Sequence, residues 1–202
     1  MQAVIKVTTK EELRAIIFKS ATNADLNHLD VSAITDMSGI FKGTEFNGDI
    51  SGWDVGNVKN MSYMFFKSQF NGSISEWNVS NVENMEWMFA TSQFNRLISD
   101  WNVSNVKNMD YMFFDSIFNN DISEWDVGNV KNMAGMFAHS KFDGNISQWD
   151  VSRVISMSAM FSYSEFNNVI SKWDVSNVEN MSYIFYDSKF TGDIPHWTKQ
   201  SW

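Results

Sequence analysis

The stretch Phe118-Asn119-Asn120-Asp121-Ile122-Ser123-Glu124-Trp125-Asp126-Val127-Gly128-Asn129-Val130-Lys131-Asn132-Met133-Ala134-Gly135-Met136-Phe137 decides the fold, because its large residues recur in both directions along the chain. Trp125 belongs to a column that also holds Trp53, Trp77, Trp101, Trp149, Trp173 and Trp197, each 24 residues from the last. Met133 and Met136 belong to two columns that together hold twelve of the thirteen methionines. Phe137 and Phe118 head two further columns that hold fourteen of the seventeen phenylalanines, and Ile122 heads another, from Ile50 to Ile194. A unit of this size cannot bury a Trp, two Met and two Phe alone, so neighbouring units must stack and share a continuous core.

Within a unit the spacing changes. In Ile74-Ser75-Glu76-Trp77-Asn78-Val79 the Trp-x-Val end alternates like a short strand with one face buried. In Val82 to Phe89 the apolar residues Val82, Met85, Met88 and Phe89 stand at i, i+3, i+6 and i+7, which predicts about two turns of helix. Ser80 with Glu83, and Ser176 with Glu179, have the spacing of a capping box at the start of that helix. The fold class expected is therefore α/β: a right-handed solenoid like that of leucine-rich repeats, with one short parallel strand and one short helix per 24-residue turn. A β-propeller blade needs about 40 residues and four strands, so that architecture does not fit.

The chain divides into residues 1–29, a capping strand and helix; residues 30–197, seven repeats; and residues 198–202, a tail, all in one domain. Thr8 or Thr9 is the expected N-cap of the first helix, with Leu13, Ile16 and Ile17 on its buried face. After the last repeat no polar capping helix follows, so Ile194, Trp197 and Trp202 are candidates for an end that pairs two copies.

The quoted stretch resembles the repeat of BspA-like leucine-rich-repeat surface proteins, including the related repeat of mycoplasma-type surface lipoproteins. The pattern F-N-x-x-I-S-x-W-D-V-x-N-V-x-N-M-x-x-M-F recurs from residue 30 to residue 197. The resemblance implies a leucine-rich-repeat-like solenoid used for adhesion or protein binding, and it carries over no catalytic residue.

Composition narrows the function. A net charge of −9 argues against a nucleic-acid ligand, and no apolar run is long enough for membrane insertion. With zero Cys there is no disulfide or thiolate chemistry. His28, His139 and His196 make no metal-ligand spacing, and no nucleophile elbow, Walker loop or zincin motif is present. Neither an enzyme nor a cofactor is expected. As written, the chain shows no signal peptide, which suits a cytoplasmic protein; a mature fragment would suit the cell surface or secretion.

Columns that vary between repeats are free for function. Glu76, Asp100 and Glu124 precede Trp, while Asp126 and Asp150 follow it, and alternation points all five out of the sheet as one acidic face. Tyr63 and Phe66, Trp87, and Tyr111 and Phe114 stand three apart on the helical side as an aromatic patch. The expected function is a non-enzymatic protein-binding or adhesion scaffold that uses one or both faces. An acidic mimic of nucleic acid that blocks a DNA-binding protein, or a glycan-binding module, is the alternative. Calcium on the Asp/Asn ladder is a lesser possibility, since no Gly-rich metal loop accompanies it.

Overall fold

The computed structural model describes residues 3–194 and Trp197. Regular elements are confined to its start: strand β1 (Ile5–Lys6), helix α1 (Lys10–Lys19) and strand β2 (Leu29–Asp30), with β1 and β2 paired in parallel. Thr9 is the N-cap of α1, its hydroxyl accepting from the Glu12 N–H at 3.2 Å, while the Thr8 N–H donates to the Glu12 carboxylate. Leu13 and Ile17 are buried, and Ile16 packs half-buried beside them.

From there on the chain is a regular repeat with an aromatic ladder stacked every 24 residues. Phe65, Phe89, Phe113, Phe137 and Phe161 lie face to face, with ring centroids 5.6–5.9 Å apart. The Phe70 column stacks alongside at 6.3–6.4 Å. Each Trp from Trp53 to Trp173 is buried and donates its indole N–H to the carbonyl of the residue 27 positions earlier, as Trp101 does to Ile74 at 3.0 Å. A bulky polar-tipped ring thus fills the core and ties two repeats together.

The expected strand and helix in each repeat are replaced by turns. Pairing between repeats contracts to single-residue parallel bridges along Asp36, Asn60, Asn84, Asn108, Asn132, Ser156 and Asn180, just beyond Trp-x-Val. Trp-x-Val buries only two alternate residues before Val58 closes a turn on Val55, which leaves no room for a ladder. The Ser80 and Ser176 amides are claimed by Asn78 and Asp174, and the Glu83 and Glu179 amides by Lys59 and Ile155, so no capping box forms.

Residues 61–68 show what stands in place of the helix. Tyr63 and Lys67 have φ of 58° and 55°, in the left-handed region, and the same two positions of every repeat do likewise. A right-handed helix cannot pass through them. The backbone donors are nevertheless all satisfied. The N–H groups of Met61, Tyr63, Phe65 and Lys67 donate to the carbonyls of Asn84, Glu86, Met88 and Ala90 in the next repeat. Those of Met64, Phe66 and Ser68 donate three residues back, and that of Ser62 to the Asn60 side chain. Four columns of such inter-repeat bonds run the length of the stack, six bonds in each, and all point the same way.

Short polar side chains hold the remaining turns. The Asn57, Asn81, Asn105, Asn129 and Asn177 amides donate to the carbonyl 25 residues earlier. Ser68, Ser92, Ser116, Ser140 and Ser164 are buried, and the Ser140 hydroxyl donates to the Phe137 carbonyl while accepting from the Phe142 N–H.

Candidate interaction surface

All five acidic candidates are exposed. Glu76, Asp100 and Glu124 occupy equivalent places in three successive repeats, each approached only by the hydroxyl of the preceding Ser at 3.3–3.5 Å. Asp126 and Asp150 are instead tied into their own turns, accepting from the Gly128 and Ser152 N–H groups at 3.1 and 3.0 Å. Hydrogen bonds from Ser152 hold the Asp150 carboxyl below its ordinary pKa, with Arg153 adding a smaller pull. The five residues point outward, but from turns rather than from a sheet. Among the described residues no Lys or Arg pairs with any of them, and no cluster of three metal-ligating side chains occurs.

The aromatic candidates come together more closely. Tyr63 stacks on Trp87 at 6.0 Å and Trp87 on Tyr111 at 4.4 Å, while Phe66 and Phe114 meet Trp87 from the side at 5.6 and 5.5 Å. All five are half-buried. At one end Lys42 lies over Tyr63 and Phe66, its ammonium 5.0 and 5.2 Å from the ring centres. Beyond Phe114 the run continues through residues that the helical reading passed over: His139 at 5.4 Å, Tyr163 stacked on His139 at 4.6 Å, then Tyr186 at 5.4 Å and Tyr183 at 5.8 Å. The last three are 45%, 54% and 67% exposed. Their equivalence was visible in the period, since His139 and Tyr163 share a column with Lys67, four residues after Tyr63, a spacing that shares one face even on a helix; pairing at three residues alone left that column out.

The backbone beneath this stripe is costly. Tyr63, Trp87, Tyr111 and Tyr183 have φ between 56° and 62°, a conformation that costs an L-residue roughly 1–2 kcal/mol. Gly39 and Gly135 hold the same position in other repeats. A Cβ on Gly135 would lie 2.2 Å from Cε1 of Tyr111, whose ring rests on that glycine.

Carboxylates flank the stripe. Burial raises the pKa of the Tyr63 hydroxyl, and the Glu86 charge adds to it. Burial likewise raises the Asp110 carboxyl, against a 2.7 Å bond from the Ala134 N–H.

Of the proposed dimer end, Ile194 is half-buried and Trp197 is 5% exposed, stacked on Trp173 at 6.4 Å and Phe185 at 5.9 Å. The Trp197 indole N–H meets no acceptor among the described residues, and Trp202 lies outside them. No described helix is long and apolar enough to cross a membrane.

The family described as "Mycoplasma protein of unknown function, DUF285" matches residues 12–117, 70–164 and 114–202, in overlapping stretches that cover nearly the whole chain. No curated protein and no solved structure matches it.

Proposed function

From the premise that this chain belongs to the DUF285 family of repeat proteins, we propose that it is a protein-binding scaffold without chemistry of its own, a right-handed leucine-rich-repeat-like solenoid that docks its partner along the aromatic stripe. One observation carries this reading. Large aromatic side chains stand at left-handed positions where Gly39 and Gly135 show that glycine is accommodated. The strain is offset in part by stacking, worth about 0.5–1.5 kcal/mol per pair, and the stripe ends on the well-exposed rings of Tyr163, Tyr183 and Tyr186. Contiguous exposed aromatics of this kind are typical anchors of protein interfaces. The likeness to BspA-like surface repeats supports an adhesive role and a surface location.

Binding through such rings should survive high salt, because it depends on apolar contact rather than on screened charge. The experiment is retention of a surface-protein extract on the immobilised chain at 1 M NaCl, roughly where the Debye length falls to about 3 Å. Tyr163/Tyr183/Tyr186→Ala should abolish retention, and Glu76/Asp100/Glu124→Lys should leave it intact. The reverse pattern would favour the second reading, a salt-sensitive acidic mimic, which the unpaired Glu76, Asp100 and Glu124 support.

A further inference from the structure

The four hydrogen-bonded columns make the two ends of the stack chemically different. Within these four columns N–H groups point toward the following repeat and the carbonyls of the same peptide groups toward the preceding one, whereas two other backbone columns, through Lys59 and through Ser68, run the opposite way. In three of these columns the described residues therefore run out on donors at one end and on acceptors at the other. Among the described residues the Met181, Tyr183 and Asp187 amides have no following repeat to meet, and the Asp36, Ser38 and Lys42 carbonyls receive no backbone donor.

We propose that the donor end docks the acceptor end of a second copy, head to tail, and that α1 closes the acceptor end against it. The proposal does not require the aromatic-stripe reading, although Tyr183 and Tyr186 take part in both. Three observations support it. First, the register matches: every inter-repeat donor bonds the carbonyl 23 residues on, and seven periods carry that position from the donors Met181, Tyr183 and Asp187 onto Asp36, Ser38 and Lys42 of the second copy. Second, the side chains match. The same registration brings exposed Tyr183 over Gly39, and Tyr186 against Lys42, whose ammonium already lies over Tyr63 and Phe66 on its other side. Third, α1 occupies the acceptor end. Cavities on its two flanks are lined jointly by α1 and by residues 33–36 and 43–46, and Lys10 reaches Asp36 and Ser38 at 2.8 and 2.7 Å. Its hold is narrow, since Leu13 and Ile17 are its buried side chains and Phe18 is 69% exposed. Two donor ends cannot pair through these groups, so the contact is heterologous and open-ended.

The test is sedimentation mass over a range of concentrations, combined with amide hydrogen exchange, on the full chain. Wild type should remain a monomer, with the Met181 and Tyr183 amides exchanging freely. Leu13→Asp/Ile17→Asp, which undocks α1, should give a mass that climbs with concentration without a ceiling, and the Met181 and Tyr183 amides should become protected. Adding Tyr186→Lys, which faces Lys42 with a like charge, should return the monomer. The Met109 and Phe113 amides report that the central repeats are intact. If they lose protection, Lys10→Glu decides with the same readout, since it sets a carboxylate against Asp36. An undocked variant with intact centre that stays monomeric, or that associates while Met181 and Tyr183 still exchange, would overturn the proposal. So would a wild-type chain that assembles through these amides.

Discussion

Lys67 and Asp115 are exposed residues at the second left-handed position of their repeats, with φ of 55° and 50°. Replacing either by Gly and, separately, by Ala distinguishes the turns from a helix. In a helix interior Gly is about 0.8–1.0 kcal/mol worse than Ala. At positive φ the order inverts, because Ala keeps the clash between Cβ and the following carbonyl, roughly 1–2 kcal/mol, and Gly does not. Part of that gain is lost to the greater freedom of Gly in the unfolded chain, of order 0.5–1 kcal/mol. The Gly variant should therefore exceed the Ala variant by about 0.5–1 kcal/mol. Neither side chain takes part in the core, so the difference isolates the backbone. Urea unfolding followed by tryptophan fluorescence reads it: with a slope of about 2 kcal/mol/M, the Gly midpoint should lie about 0.3–0.5 M above the Ala midpoint. Equal slopes in the two variants are required for that comparison. An Ala variant more stable than its Gly partner at both sites would refute the left-handed turns and restore the helix.

Other perturbations test the packing and the charges. Phe113→Ala removes a fully buried ring stacked between Phe89 and Phe137 and should cost about 3–5 kcal/mol by the same urea assay. Ser140→Ala strands the buried Phe142 N–H and should cost about 1–3 kcal/mol, while Ser140→Thr at the same site tests whether the hydroxyl alone restores it. For acid, the sign follows from the Asp49, Asp121, Asp150 and Asp174 carboxyls, all held below their ordinary value of 3.8 by hydrogen bonds from the Ser two residues on. A lowered folded pKa adds stability above the unfolded value, and that stability is lost as pH falls through the folded value. Thermal midpoints should thus begin to drop as pH approaches 3.8 and continue to drop below it. Asp110 works in the opposite sense, since burial raises its pKa; Asp110→Asn should shift the midpoint less at pH 3 than at pH 7.

The core was legible in the sequence because it repeats: the Trp, Met, Phe and Ile columns occupy the interior in their expected phase. The backbone between them was not. Val82, Met85, Met88 and Phe89 imitate helical spacing because two turns, each closed three residues back, also return side chains inward at intervals of three and four. The contrary signal lay in Gly39, Gly43 and Gly135, which share columns with Tyr, Lys and Trp; a helix gives no reason for such a mixture, whereas positive φ does. The aromatic stripe was half legible. Tyr63, Trp87 and Tyr111 were found by their column, whereas His139 and Tyr163 stand in the column four residues on, where the other repeats hold Gly43, Lys67, Thr91, Asp115 and Asp187, so no aromatic repeat marked it. The acidic residues were placed on the correct side for an incomplete reason, since Asp126 and Asp150 also serve as turn-forming acceptors.

The one-way columns have an electrical consequence. Each peptide group carries a dipole of about 3.5 D, and groups aligned head to tail add as they do in an α-helix. Here the addition runs across repeats instead of along the chain, so every repeat lengthens a permanent dipole whose negative pole lies at the Asp36 end and whose positive pole lies at the Met181 end. Two columns, one through Lys59 and Lys107 and one through Ser68 and Ser140, run the other way and cancel part of it. Some formal charges sit where this field favours them, the Lys10 and Lys42 ammonium groups at the negative pole and the exposed Asp187 carboxylate at the positive one, while Asp36 and Lys189 sit against it. A molecule of this kind is oriented before it makes contact: near a charged surface its two ends experience opposite forces, which together make one turning moment, and the backbone contributes to the angle of approach at a distance.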